Sequence, residues 1–119
     1  MKFLWTTIDV IDLDESVRFY EEIVGLSVSR RVTGGPSNIA FMGDGETKVE
    51  LITHAGATPK GVGAGISIGF AVDDLDEKIA FLTEKGIAIA EGPFSPNPSV
   101  RFCYVHDPNG VRVQFVEQR

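Results

Sequence analysis

The sequence predicts an α+β protein made of two βαβββ modules. Three observations predict it: an internal repeat, a strand followed by a chemically capped helix at the start of each half, and tight-turn signals before the last strand of each half. The stretch IDVIDLDESVRFYEE, from Ile8, corresponds to GFAVDDLDEKIAFLTE, from Gly69, at an offset of 62, which lays Val10 over Val72, Asp12 over Asp74, Leu13 over Leu75, Glu15 over Glu77 and Phe19 over Phe81. The ends correspond as well, with Glu50 of GDGETKVELI over Gln114 of DPNGVRVQFV at an offset of 64.

Each module opens on an apolar, alternating stretch, Phe3 to Val10 and Ile66 to Val72, the pattern of a strand with one buried face. Asp12 with Glu15, and Asp74 with Glu77, have the Asp-x-x-Glu spacing that satisfies free N–H groups at a helix start. Gly25 and Gly86 stand where a left-handed residue ends a helix, about three turns on. Further strands are expected over Leu26–Val32, Asn38–Met42 and Lys48–Thr53, then over Ile87–Ala90, Val100–His106 and Val111–Glu117. Asp44-Gly45 and Asp107-Pro108-Asn109-Gly110 are turn signals, so the last two strands of each module form antiparallel hairpins. Ser95 to Pro98 reads as a loop. The whole chain, 1–119, is one domain of two modules, 1–54 and 65–119, joined by a Gly-rich linker over 55–64.

Composition narrows the function. Hydrophobic residues make up 43% and charged residues 24%, the balance of a chain that buries a core. Eleven Lys and Arg against seventeen Asp and Glu leave a net charge of −6, which repels a phosphate backbone or an anionic membrane surface. Neither nucleic acid nor membrane is an expected partner; a small molecule is. The one cysteine, Cys103, has no internal disulfide partner, and the first residues show neither a signal pattern nor a run long enough to span a bilayer, so the expected compartment is the cytoplasm.

Alternation sorts the strand faces. Leu4, Thr6, Ile8 and Val10 share one face of the first strand, and Val49 with Leu51, or Val113 with Phe115, one face of the last strands; these apolar faces carry the helices. Trp5, Glu50, Ser67 and Gln114 lie on the opposite faces, where the repeat pairs Trp5 with Ser67 and Glu50 with Gln114. If the sheet is curved it gathers them into a binding site, because a carboxylate facing a cavity needs a ligand, cation or donor to compensate it; if it is not, they form a solvated sheet face.

The opening strand with DLDESVRFYEEIVGL, the mid-chain TKVELI, the second start FAVDDLDE and the closing YVHDPNGVRVQFVE together resemble the glyoxalase/bleomycin resistance/dioxygenase family, the vicinal oxygen chelate superfamily, over nearly the whole chain. The resemblance implies a glyoxalase-like fold, two βαβββ modules forming curved mixed sheets around a cavity, often in a homodimer, with a divalent ion in the metal-dependent members. The ligand positions it implies are Trp5, Glu50, Ser67 and Gln114, and two of the four depart from the pattern. Indole has no lone pair to offer and a neutral hydroxyl replaces imidazole poorly, so a degenerate site without metal or other cofactor is expected. The resulting reading is a binder of sequestering or resistance type. The alternative is a lyase or isomerase of the lactoylglutathione lyase type, with Glu50 as catalytic base or ligand and a divalent metal held by Glu50, Gln114, water and His54.

Trp5 reads either as a large core aromatic or as a flat wall for a planar or cationic ligand beside Glu50. If Asp107 to Gly110 closes a tight hairpin, Cys103 lies opposite Gln114 and on its face, a buried inert thiol, with Arg101 sharing that face. His54, on the Glu50 face, reads as a strand-end histidine at the rim, and His106 as a support of the closing turn.

Overall fold

A computed structural model describes residues 1–56 and 65–119; from residue 57 on, the expected linker lies outside the described residues. The chain divides into two compact units, Met1–Gly61 and Val62–Arg119. Each holds a four-stranded mixed sheet and a helix, so the expected α+β architecture is present.

In the first unit β1 (Trp5–Asp9) leads into α1 (Leu13–Arg18) and then β2 (Val28–Val32), β3 (Ser37–Met42) and β4 (Lys48–His54), with sheet order β1-β4-β3-β2. Asp12 caps α1 by accepting the Glu15 N–H at 3.0 Å. The helix continues over Phe19–Val24 in wider π-helical turns, closed by the Gly25 N–H donating to the Tyr20 carbonyl. Phe19 and Tyr20, adjacent in sequence, are both buried there and meet edge to face at 5.2 Å. Ile8, Val10, Ala40, Met42, Val49 and Leu51 form the buried face of the sheet, and Leu13, Val17, Tyr20 and Ile23 the buried stripe of the helix.

The second unit repeats this with β5 (Ser67–Ala71), α2 (Leu75–Glu84), β6 (Glu91–Asn97), β7 (Val100–His106) and β8 (Arg112–Gln118), in the order β5-β8-β7-β6. Asp74 caps α2 through the Glu77 N–H at 3.1 Å, and Gly25 and Gly86 both take the left-handed conformation, with φ of 93° and 75°. Cys103, Val105, Val113 and Phe115 are buried with Leu75 and Leu82 of the helix. Glu117 points into this same face, where its carboxylate accepts the Leu75 N–H at 2.8 Å and the Arg119 Nε–H at 2.7 Å. Those donors, the helix-start N–H first, hold its carboxyl below the usual carboxylate range.

Two expectations are corrected. The strand foreseen over Ile87–Ala90 lies instead at Glu91–Asn97, which takes in Ser95 to Asn97 of the expected Ser95 to Pro98 loop and leaves Pro98 in the turn. Ile87 is taken up in closing α2, its N–H donating to the Leu82 carbonyl, and pairing starts only with the Ala90 N–H on the Tyr104 carbonyl. The prolines at 93 and 96 are tolerated because β6 is an edge strand matched to β7 only at Glu91, Phe94 and Asn97. The second correction is a register. Cys103 pairs with Phe115 on the core face, and Tyr104 is the residue opposite Gln114. Strand pairing ends at His106 and Arg112, so the closing loop is one residue longer than a tight Asp107–Gly110 turn, and a shift of one residue turns every side chain to the other face.

Candidate binding faces of the two sheets

In the first unit the register of the parallel pair β1–β4 sets Thr7 beside Glu50 and Trp5 beside Lys48, so Trp5 and Glu50 share a face but occupy neighbouring rows. The Thr7 hydroxyl donates to Glu50 Oε1 at 2.6 Å, which fixes the carboxylate without neutralising it. Trp5 stands edge-on to Phe41, centroids 5.3 Å apart, and remains 43% exposed. Phe41 pairs with Glu50 across β3–β4, and Arg30 pairs with Phe41 across β2–β3, its guanidinium 5.3 Å from the ring centroid. One row of the sheet therefore reads Arg30, Phe41, Glu50, Thr7.

The second unit carries the equivalent row Glu91, Tyr104, Gln114, Gly69. Gln114 donates through Nε2 to the Tyr104 hydroxyl at 3.1 Å, and its Oε1 lies 3.1 Å from where a Cβ on Gly69 would stand; a larger residue at 69 would push the amide aside. Ser67 is on this face one row away, paired with Arg112. Arg112 lies 4.1 Å above the Tyr104 ring and forms an ion pair with Glu91, whose carboxylate raises the guanidinium pKa. Phe94 and Phe102 extend the aromatic surface, 5.6 Å apart.

The structure thus brings Trp5 and Glu50 onto one face of the first sheet and Ser67 and Gln114 onto one face of the second. Sequence reasoning missed the side chains that position them, Thr7 and Tyr104, because strand register decides both. It also missed Arg30. Val28 opposes Met42 on the core face, and plain alternation would send Arg30 there too; a bulge at Ser29, whose hydroxyl donates to the Phe41 carbonyl at 3.0 Å, turns Arg30 onto the Glu50 face.

The remaining candidates have structural partners. His54 Nδ1 lies 2.7 Å from the Ser37 hydroxyl and Nε2 lies 3.7 Å from Asp9. Four residues along β4 separate it from Glu50, about 13 Å, too far to share one ion. The closing turn is organised by Asp107, which accepts the Asn109 and Val111 N–H groups, each at 2.8 Å, in the role foreseen for His106. Arg101 binds a carboxylate, that of Asp76 on α2, at 3.0 and 3.3 Å. Burial pushes the Cys103 thiol up and the Lys78 ammonium down, the latter resting on the Phe81 and Phe115 rings at 4.8 and 4.7 Å. A cleft of about 480 Å³ lies on the helix-bearing side of the first sheet, lined by Asp12, Asp14, Arg31, Thr33 and Asn38 among others, with Asp12 already engaged as the helix cap.

These donors do not fit a divalent ion. The first unit offers one carboxylate and an indole, which has no lone pair to give, and the second one amide oxygen and a neutral hydroxyl. Among the described residues no group of three or more His, Cys, Asp or Glu converges. No helix among them is long and apolar enough to cross a membrane.

Comparison with known proteins agrees with this fold. A probable lactoylglutathione lyase from Synechocystis sp. is 31% identical over 98% of this chain and 95% of its own length. A lactoylglutathione lyase from Haemophilus influenzae is 29% identical over the full chain and 94% of its own length. The trypanothione-dependent glyoxalase I of Leishmania major superposes with a TM-score of 0.85 at 27% identity, covering 98% of this chain and 86% of that one. The description Glyoxalase/Bleomycin resistance protein/Dioxygenase superfamily matches residues 2–115, and the chain belongs to that superfamily.

Proposed function

We propose that this protein is a cytoplasmic, homodimeric, small-molecule-binding member of the superfamily that works without a bound metal, holding its ligand against Trp5 and Glu50 of the first sheet and Ser67 and Gln114 of the second. Its role is sequestration of that ligand, as in a resistance protein. The observation that carries the reading is the donor set. An indole and a hydroxyl stand at two of the four positions where the family resemblance implies metal ligands, which leaves one carboxylate and one amide. Half-exposed Trp5 suits a planar ligand, and the Glu50 carboxylate retains acceptor capacity beyond the Thr7 hydrogen bond.

The similarity to lactoylglutathione lyases supports a second reading, a lyase with Glu50 as general base. That reaction develops negative charge on an enediolate, and a lone carboxylate raises the cost of an adjacent anion. Metal content after exposure of untagged protein to Ni, Zn, Co, Mn and Fe(II), with Glu50→Ala in parallel, separates the two. Binding without catalysis predicts no stoichiometric metal in either protein. Stoichiometric metal that disappears in Glu50→Ala overturns the proposal in favour of the lyase.

A further inference from the structure

We propose that Arg30 is a ligand-binding residue and that the first sheet's face takes a planar aromatic molecule with a carboxylate at one end and an amine at the other. The inference rests on the small-molecule reading above and names the ligand class for that face.

Arg30 is exposed, and among the described residues no carboxylate lies within ion-pair distance of it, whereas Arg101, Arg112 and Arg119 are paired with Asp76, Glu91 and Glu117. Its guanidinium is steadied over Phe41, so the side chain is pre-organised while its donors stay open. The bulge at Ser29 is what delivers it to this face, and bulges of this kind re-aim side chains beside binding sites. Two strand spacings separate Arg30 from Glu50 in the row, roughly 10 Å, so the two charges are too far apart to neutralise each other directly. The interval between them is aromatic, Phe41 with Trp5 edge-on to it. A cation, a ring surface and a carboxylate in line are complementary to an anion, a ring and an ammonium in line. The second sheet's row differs because its acid, Glu91, is already matched by Arg112, so it supplies no open charge pair.

The test uses para-(aminomethyl)benzoate, benzoate and benzylamine as probes, with binding followed by chemical-shift titration of the backbone amides of β1, β3 and β4, signals that remain in every variant. The amino acid probe is expected to bind about tenfold tighter than either single-charge probe. Arg30→Gln should lower affinity for the two carboxylate probes about tenfold and leave benzylamine unchanged, while Arg30→Lys restores part of the loss. Equal binding of all three probes, indifferent to Arg30→Gln but lost in Trp5→Ala, removes Arg30 and the ligand class while leaving the small-molecule reading in place. A uniform loss for all three probes in Arg30→Gln also overturns the assignment, since a ligand contact would be selective. No shift with any probe refutes both.

Discussion

Replacing Asp107 by alanine tests the loop that sets which residue of β7 lies opposite Gln114. Asp107 is 5% exposed; its Oδ1 accepts the N–H groups of Asn109 and Val111 at 2.8 Å each, and its Oδ2 accepts the Asn109 amide at 3.2 Å. A hydrogen bond contributes about 1 kcal/mol net, and the Val111 N–H, buried with its residue, adds a desolvation cost when left without an acceptor. The loss should total about 3 kcal/mol, a large share of the roughly 5–15 kcal/mol that stabilises a domain. Asp107→Asn keeps an Oδ1 acceptor for both backbone donors and should cost only about 1 kcal/mol. Urea denaturation followed by circular dichroism should show the midpoint of Asp107→Ala falling by about 1–2 M at unchanged slope. Hydrogen exchange should show protection lost at the β7–β8 amides next to the loop before those of the first unit. A midpoint for Asp107→Ala close to wild type, or an Asn variant as unstable as the Ala variant, would refute the argument that this carboxylate holds the register.

Gly92→Ala should destabilise the second unit by about 2 kcal/mol in the same denaturation assay, because φ is +94° there and a Cβ would come within 3.0 Å of the Phe102 carbonyl oxygen; a neutral substitution would show that β6 can move aside. Glu117 gives a pH signature. Its folded pKa is depressed, so its contribution is fully present above the unfolded carboxylate value of about 4.5 and is lost as pH falls through the lower folded value. Glu117→Gln should flatten the acid limb of the stability curve below that point, and an unchanged limb would contradict the assignment. Cys103, fully buried with a raised pKa, should resist thiol reagents in native protein and react at the rate of unfolding in denaturant; fast native labelling would place it elsewhere.

What the sequence made legible is what depends on local chemistry. Asp12 and Asp74 cap because a short carboxylate one residue before a helix meets its free N–H groups, and Gly25 and Gly86 end helices because they alone take positive φ there cheaply. The repeat carried the module order and placed Trp5, Glu50, Ser67 and Gln114 on their faces. Pairing partners are a property of two strands and a loop, and neither strand alone encodes them. One extra residue in the closing loop replaced Cys103 by Tyr104 beside Gln114, and one bulged residue at Ser29 moved Arg30 from the core side to the Glu50 side.

The closing loop and the bulge bear on function in the same direction. Had Cys103 faced Gln114, the second sheet would have offered a thiolate ligand beside an amide, a set closer to metal chemistry. Tyr104 in its place supplies a phenol that accepts the amide N–H and a ring beneath Arg112, groups suited to holding a planar polar ligand. With Arg30 and Phe41 on the first sheet, the two rows come to share an arginine over an aromatic ring next to the side chain that the repeat pairs, Glu50 in one and Gln114 in the other. In the equivalent rows Arg30 corresponds to Glu91, and Arg112 to Lys48, so the two arginines reach their rings from different strands, while the four positions implied as metal ligands hold an indole, a carboxylate, a hydroxyl and an amide. A metal-dependent reaction needs a complete ligand set, whereas a binder needs ring surface and polar groups to hold its ligand. It is the second requirement that the binder proposed above draws on.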